Sequence, residues 1–181
     1  MADGFGPYFV FSQNGGSQWD TEDPKVGFID YNDTATVITP IVMLEDDWTT
    51  ITNDGLGPFS NKTFRPDYAD ELMINNGQFD FSQIPLGYGV DIRQDFSVTP
   101  TINRTLVEAR YQIGAGPAYT LETTVGELVQ GSGRFYRFSL YTHYVYMGDT
   151  NTRDNPLTFQ LKASSDCTVV NAGCVVRVSR S

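Results

Sequence analysis

Apolar and polar side chains alternate with a period of two along much of the chain from residue 90 onward. The apolar members of these segments are Val90, Ile92, Phe96 and Val98, then Val107, Ala109, Tyr111 and Ile113, then Tyr136, Phe138, Leu140, Tyr144 and Tyr146, and finally Leu157, Phe159 and Leu161. Alternation of this kind buries one face of a strand and exposes the other. Because Gly and Pro separate the segments and no helical pattern intervenes, we predict an all-β fold, an antiparallel sandwich.

The first half of the chain differs from the second in charge and in regularity. Residues 1–89 hold 14 acidic and 3 basic side chains, a net charge of −11, whereas residues 90–181 hold 8 and 9, a net charge of +1. We therefore predict two regions: an acidic, irregular and turn-rich N-terminal region of residues 1–82, and a β-sandwich domain of residues 83–181.

Turn-forming clusters divide the N-terminal region into short apolar stretches. We predict short strands at residues 8–11, 26–29, 34–39, 41–44 and 48–52. Residues 66–74 are predicted to make one or two helical turns, since their acidic residues suit the start of a helix.

The end of the chain has the pattern of a β-hairpin, in which Asn171-Ala172-Gly173 forms the turn between strands at 167–170 and 174–179. In that register Cys167 and Cys174 point to opposite faces, about 10 Å apart along the strand at ~3.3 Å per residue. A disulfide needs a closer approach. We therefore predict two free thiols, with Cys174 in the core and Cys167 at or near the surface.

The available residue types limit the chemistry. A net charge of −10 argues against nucleic-acid binding, because affinity for phosphates requires a basic surplus. His143 is the single histidine, and the acidic stretches at 30–33, 45–47 and 149–155 lack the spacing of a calcium-binding EF-hand loop. We expect no catalytic residues, no metal, no cofactor and no enzymatic activity. The alternative is a glycosidase, which needs two carboxylates about 5 to 9 Å apart, a separation that sequence does not give.

No stretch approaches 18 consecutive apolar residues, and the opening Met1-Ala2-Asp3-Gly4 lacks the basic and apolar parts of a signal peptide. We therefore expect synthesis in a cytoplasm and no membrane partner.

Three stretches of the second region carry a resemblance: GYGVDIRQDFSV at 87–98, YVYMGD at 144–149 and TVVNAGCVVRVSR at 168–180. They resemble trimeric jelly-roll domains, similar in fold to the tumour-necrosis-factor group, that close many virion proteins of tailed bacteriophages. Head decoration or cement proteins, head fibres and tail-fibre tips contain such domains. The resemblance implies a jelly-roll sandwich, a homotrimer, a place in the virion and an N-terminal segment that attaches the domain to the particle.

The favoured function is therefore that of a homotrimeric capsid decoration or cement protein on a phage head, made in the host cytoplasm. Its partners would be further copies of itself and the major capsid protein or another virion subunit. One alternative is the receptor-binding tip of a tail or head fibre that recognises host surface glycans. The other is a stand-alone carbohydrate-binding β-sandwich.

Two sets of residues are predicted to form interfaces. The outer face of the strand at 133–146 carries the predicted trimer interface, because a monomer would expose its apolar side chains; its members are Phe135, Tyr141, His143 and Val145. The N-terminal aromatic residues are predicted to attach the protein to the virion, because a turn-rich segment buries them poorly without a partner; they are Phe5, Tyr8, Phe9, Phe11 and Trp19.

Overall fold

The computed structural model describes residues 9–11, 17–19, 26–114, 119–131, 133–141 and 144–180, with the backbone alone at 9–11, 17–19 and 141. Its strands are β1 (Phe9–Phe11), β2 (Ser17–Trp19), β3 (Gly27–Asn32), β4 (Ile41–Met43), β5 (Thr49–Thr50), β6 (Met73–Ile74), β7 (Gln78–Phe79), β8 (Tyr88–Pro100), β9 (Thr105–Ile113), β10 (Thr120–Leu128), β11 (Tyr136–Tyr141), β12 (Val145–Tyr146), β13 (Leu157–Ala163) and β14 (Cys167–Arg180). Two short helices lie between strands, α1 (Ala35–Ile38) and α2 (Thr150–Asp154).

All but the β1–β2 pair of these strands belong to two six-stranded antiparallel sheets. Sheet 1 has the order β11–β8–β14–β3, with β12 also beside β8 and β4 also beside β14. Sheet 2 has the order β10–β9–β13–β7–β6, with β5 also beside β13. The chain crosses repeatedly from one sheet to the other, and this strand order is that of a double-sheet jelly roll. The predicted all-β, antiparallel jelly-roll sandwich is confirmed.

An aromatic cluster joins the two sheets at the centre of the core. The ring of Phe96 in sheet 1 lies 5.8 Å from that of Phe159 in sheet 2, which in turn lies 5.0 Å from the ring of Tyr111. Phe138 closes the cluster on the β11 side, 5.4 Å from Phe96. These tilted contacts are the arrangement that aromatic pairs prefer. The alternation predicted for β8, β9 and β13 places their apolar residues in this core.

The N-terminal region contributes strands to both sheets. All six residues of β3 pair with β14, and β5 and β7 pair with β13. Buried side chains from this region complete the same core; they include Ile29, Tyr31, Met43, Ile51, Leu72, Phe79 and Phe81. Strands from residues 26–82 therefore fill the open edges of β13 and β14. The division of the chain between residues 82 and 83 stays a prediction.

The predicted hairpin at the end of the chain is wrong, because β14 is one continuous strand of 14 residues. Asn171 pairs with Phe96 and Gly173 pairs with Asp95, so Ala172 is an extra residue that forms a β-bulge. The bulge shifts the alternation by one residue, and both Cys167 and Cys174 are consequently buried. The prediction of two free thiols is confirmed. The prediction that Cys167 lies at or near the surface is wrong.

Three other local predictions differ from the structure. Residues 34–39, predicted as a strand, contain α1. Residues 66–74, predicted to make one or two helical turns, form non-helical turns followed by the strand β6. The long strand predicted at 133–146 is divided into β11 and β12. In addition, β10 was not predicted, because its polar residues hide the weak alternation of Leu121, Thr123 and Val125.

Candidate interaction surfaces

A buried polar network fixes the corner where α1 meets sheet 1. The Asp33 carboxylate accepts hydrogen bonds from Thr36 N at 2.9 Å, from the Thr36 hydroxyl at 2.6 Å and from Asp54 N at 2.9 Å. The Thr36 hydroxyl also accepts a bond from Asn171 N at 2.8 Å, which ties α1 to the bulge of β14. These bonds explain why a run of β-branched residues forms a helical turn, since satisfied polar groups outweigh weak local propensity.

The Asp54 carboxylate extends this network to the loop at 53–60. It accepts a hydrogen bond from the Thr34 hydroxyl at 2.7 Å, and further bonds from Thr34 N at 3.1 Å and Leu56 N at 3.0 Å. Partial burial opposes ionisation, but these hydrogen bonds outweigh it and hold the pKa of Asp54 below its ordinary value. The loop is therefore anchored through the charged Asp54 carboxylate, and its apolar side chains remain exposed to solvent.

The anchored corner exposes large apolar side chains. Ile38 on α1 is 83% exposed, and Leu56 and Phe59 in the loop are 79% and 77% exposed. Val37 on α1 and Val42 on β4 are exposed as well. The helix α1 and the strand β4 border β14 between its bulge and Cys167. The loop at 53–60 is joined to the start of α1 through Thr34 and lies beside Asn32 at the end of β3. The five exposed side chains therefore lie on neighbouring segments of one corner. Together with Leu44 they are called the α1 strip below.

The α1 strip ends in a cluster of acidic residues. Glu45, Asp46 and Asp47 follow directly after Leu44 and are all exposed. Asp166 lies beside them, and its carboxylate accepts a hydrogen bond from Glu45 N at 2.9 Å. The two lysines in the described residues already have acidic partners: Lys62 pairs with Glu71, and Lys162 pairs with Glu108. The α1 strip is therefore negatively charged.

A second exposed apolar surface lies at the opposite edge of sheet 1. Ile102 in the β8–β9 loop, Val129 in the β10–β11 loop and Phe135 at the start of β11 are exposed. Gly131 N donates a hydrogen bond to the Asn103 side chain, which holds the two loops together. These residues are called the β11 strip below.

The β11 strip carries basic residues. Arg137 lies over the Phe135 ring, 5.2 Å from its centroid, and Arg134 is exposed beside it. Arg104 lies in the adjoining loop, 3.8 Å from the Glu127 carboxylate. Asp95 lines the same groove as Phe135 and Arg137, but Arg93 pairs with it at 2.8 Å. The three arginines therefore leave the β11 strip positively charged.

The residues predicted for the trimer interface are not brought together. Phe135 is 56% exposed, but Val145 is 4% exposed and belongs to the core, so the prediction that Val145 lies on the outer face is wrong. The predicted strand is divided into β11 and β12, and the residues that face the core change from even-numbered in β11 to odd-numbered in β12. Tyr136, the neighbour of Phe135, pairs with Val98, and Val145 pairs with Val90, so Tyr136 and Val145 lie about 26 Å apart at ~3.3 Å per residue.

The other two members of that set cannot be placed in the same way. Tyr141 is the last residue of β11, but its side chain lies outside the described part of the structure, as does the whole of His143.

The predicted attachment residues fall at the start of the chain. Phe9 and Phe11 belong to β1 and Trp19 to β2, and the two strands form an antiparallel pair in which Phe9 faces Trp19. Their side chains lie outside the described part of the structure, as do Phe5 and Tyr8 entirely. Their role in attachment stays a prediction.

A small polar cavity of about 260 Å³ opens between β3, the loop at 53–56 and the loop at 71–76. The Lys62 ammonium pairs with Glu71 and lies 5.7 Å from the centroid of the Tyr31 ring. The Oε1 atom of Glu71 is buried and has no hydrogen-bond partner in the described part of the chain. The cavity therefore offers an acceptor and an ammonium group to a ligand rich in hydroxyl groups.

Among the described residues, no group of three or more His, Cys, Asp or Glu side chains is placed to hold a metal ion. Neither α1 nor α2, the helices seen in the described ranges, has the length and apolar character needed to span a bilayer.

The strips on the edges of sheet 1 could not be identified from alternation. The signal that was available for the α1 strip is Leu56-Gly57-Pro58-Phe59, where two large apolar residues flank a turn that cannot bury them. Val37 and Ile38 gave no such signal, because their exposure depends on the helical turn.

No protein-family model and no curated protein matches the chain. Among solved structures it is similar to infectious bursal disease virus of the Gx strain, with a TM-score of 0.42 and 8% identity over 96% of this chain and 36% of that one. It is also similar to the Gt strain, with a TM-score of 0.39 and 10% identity over 96% and 38% of the two chains. A VP2 subviral particle of infectious bursal disease virus gives a TM-score of 0.37 and 14% identity over 99% and 37%. The chain spans little more than a third of the length of these proteins.

Proposed function

We propose that the chain is a structural subunit of a virion that acts by assembly and not by catalysis. Most concretely, it is a homotrimeric decoration or cement protein on a phage head, held by the major capsid protein or another virion subunit. The observation that carries the proposal is the exposure of Ile38, Leu56 and Phe59 on a sandwich whose core is otherwise closed. Exposed apolar surface of this kind marks protein interfaces.

Two further observations support an assembly role. The jelly-roll strand order agrees with the resemblance of residues 87–98, 144–149 and 168–180 to virion jelly-roll domains. The polar network around Asp33 holds the α1 strip rigidly, so that little conformational entropy is lost when a partner covers it.

Quantitative mass spectrometry of purified virions from the source of this sequence tests the proposal. Hundreds of copies per particle are expected for a head decoration protein. A few dozen copies or fewer would place the protein in a fibre instead, and its absence from the particles would overturn the virion role.

The cavity beside Tyr31 favours a second candidate, in which the chain recognises host surface glycans at the tip of a fibre. The unpartnered Glu71 oxygen and the Lys62 ammonium would receive and donate hydrogen bonds to sugar hydroxyl groups. Methyl glycosides of common monosaccharides can be titrated into isotopically labelled protein and followed by NMR. Shifts confined to residues 53–56 and 71–76, and lost in Glu71→Gln but kept in the exposed control Asp67→Asn, are expected. No shift with any glycoside at millimolar concentration would reject this candidate.

A further inference from the structure

We propose that copies of this chain join head to tail, with the α1 strip of one copy against the β11 strip of the next. The inference deepens the proposed function and rests on it for the self-assembly of the subunit. It names the two surfaces and the occupant of each, which is a second copy of the same chain.

Both strips leave apolar surface uncovered in the single chain. Each presents several large apolar side chains to water, and covering a fully exposed one contributes roughly 1.5 to 3 kcal/mol. The α1 strip contains Val37, Ile38, Val42, Leu44, Leu56 and Phe59; the β11 strip contains Ile102, Val129 and Phe135.

The two strips carry opposite charge. Glu45, Asp46 and Asp47 border the α1 strip, whereas Arg134 and Arg137 border the β11 strip. Two α1 strips would repel each other, and so would two β11 strips, because like charges brought together at an interface are costly. Complementary charge thus selects the contact between unlike strips.

In sheet 1 the strands β4 and β11 are separated by β14 and β8, so the two strips lie on opposite edges, about 14 Å apart at ~4.8 Å per strand. Leu44 and Phe135 lie at the same end of the sandwich, because Met43 pairs with Cys167, Cys167 with Pro100 and Tyr136 with Val98. A contact between two different surfaces leaves one of each free at the ends of a dimer, and further copies add until a ring closes.

Variants that weaken one strip at a time test this arrangement. The first variant carries Val37→Ser and Ile38→Ser, and the second carries Val129→Ser and Phe135→Ser. The control carries Leu86→Ser and Tyr119→Ser, which remove exposed apolar side chains elsewhere on the molecule. All six positions are exposed, so the unfolding temperatures should stay close to that of the unmodified chain.

Sedimentation velocity at about 50 µM gives the decisive comparison. The unmodified chain and the control should sediment as the same closed oligomer, and each strip variant should sediment as a monomer. A one-to-one mixture of the two strip variants should give a dimer and nothing larger, because the mixture contains one intact α1 strip and one intact β11 strip per pair. Raising the salt concentration from 50 to 500 mM should shift the unmodified oligomer toward the monomer.

Other outcomes overturn the inference. Strip variants that keep the size of the unmodified oligomer would show that another surface assembles the subunit, with the virion role unaffected. A mixture that stays monomeric would show that the strips do not meet each other. If the unmodified chain is itself a monomer, the head-to-tail contact is rejected, and copy number in purified particles still decides the virion role separately.

Discussion

The Asp33 carboxylate joins α1, the loop at 53–60 and, through Thr36, the bulge of β14. Replacing Asp33 with Ala leaves buried donors without a partner, and we expect a loss of about 3 kcal/mol in the free energy of unfolding. Urea denaturation measures this loss. The control Asp67→Ala removes an exposed carboxylate and should change stability by less than about 0.5 kcal/mol. A loss below about 1 kcal/mol for Asp33→Ala would show that the network does not hold the corner.

Asp54 makes the stability of the same corner dependent on pH. Its pKa is lower in the folded chain than in the unfolded chain, so the ionised carboxylate stabilises the fold above the unfolded-state pKa of about 3.9. This contribution is lost as the pH falls through the lower folded-state pKa. We expect Asp54→Asn to be less stable than the unmodified chain at pH 7, and the difference to shrink below pH 4. Urea denaturation across this range tests the prediction, which a constant difference would contradict.

We expect the two cysteine thiols to be unreactive in the folded protein. They lie seven positions apart on one strand, about 23 Å at ~3.3 Å per residue, which is too far for a disulfide. Burial raises the pKa of both thiols, so little thiolate is present at neutral pH. We expect no reaction with a thiol reagent until urea unfolds the chain, and an unchanged unfolding temperature in excess reductant. Rapid labelling of either cysteine in the folded state would contradict the burial.

At the scale of single elements, the bulge in β14 depends on Gly173. Its φ is +139°, and a Cβ at this position would lie 2.3 Å from the Tyr31 carbonyl oxygen. We therefore expect Gly173→Ala to lower the free energy of unfolding by about 3 kcal/mol or more. Gly126 in β10 is the matched control, since its φ is +152° but no atom lies within 4 Å of its Cβ position. Gly126→Ala should cost about 1 kcal/mol from backbone strain alone. Equal losses in the two variants would mean that contact with β3 is unimportant.

The bulge in β14 is a feature that the local sequence pattern did not predict. The alternation along β8, β9 and β13 was sufficient to predict half-buried strands, because each is paired on both sides and stays regular. Asn171-Ala172-Gly173 suits both a hairpin turn and a bulge, since each needs a glycine with positive φ. The choice is made by the neighbouring strands, which no local pattern reveals. On one edge β8 pairs with both halves of β14, and on the other edge β4 pairs with the first half and β3 with the second.

The candidate surfaces were harder to predict for a related reason. The exposure of Phe135 was predicted correctly because it lies next to the regular strand β11. Val145 was assigned to the wrong face because the predicted strand is divided into β11 and β12, and the alternation reverses between them. Ile38 is exposed because Asp33 and Asn171, distant in sequence from each other, turn residues 35–38 into a helix. Tertiary contacts of this range override local propensity.

At the scale of the whole molecule, residues 26–82 of the acidic N-terminal region are part of the sandwich. A fragment of residues 83–181 would lose all the partners of β14 on one edge, together with the core side chains of β3, β4 and β7. We expect this fragment not to unfold cooperatively, whereas the full chain should show one cooperative transition in thermal circular dichroism. A fragment with a cooperative transition and well-dispersed NMR signals would show that the second half is an independent domain.

Because β14 is the last strand of the chain and lies at the centre of sheet 1, this sheet is completed only at the end of synthesis. The side chain of Asn32 bonds the carbonyl of Ala172, 140 residues later, so β3 and β4 emerge from the ribosome long before the strand between them and β8 exists. At about 5 to 20 residues per second, they wait on the order of ten seconds with unpaired edges and uncovered apolar side chains. Folding that depends on such distant pairings is slow once it begins. The nascent chain therefore passes through a period in which its edge strands can pair with the wrong neighbour, and a molecular chaperone would have its greatest effect in that interval.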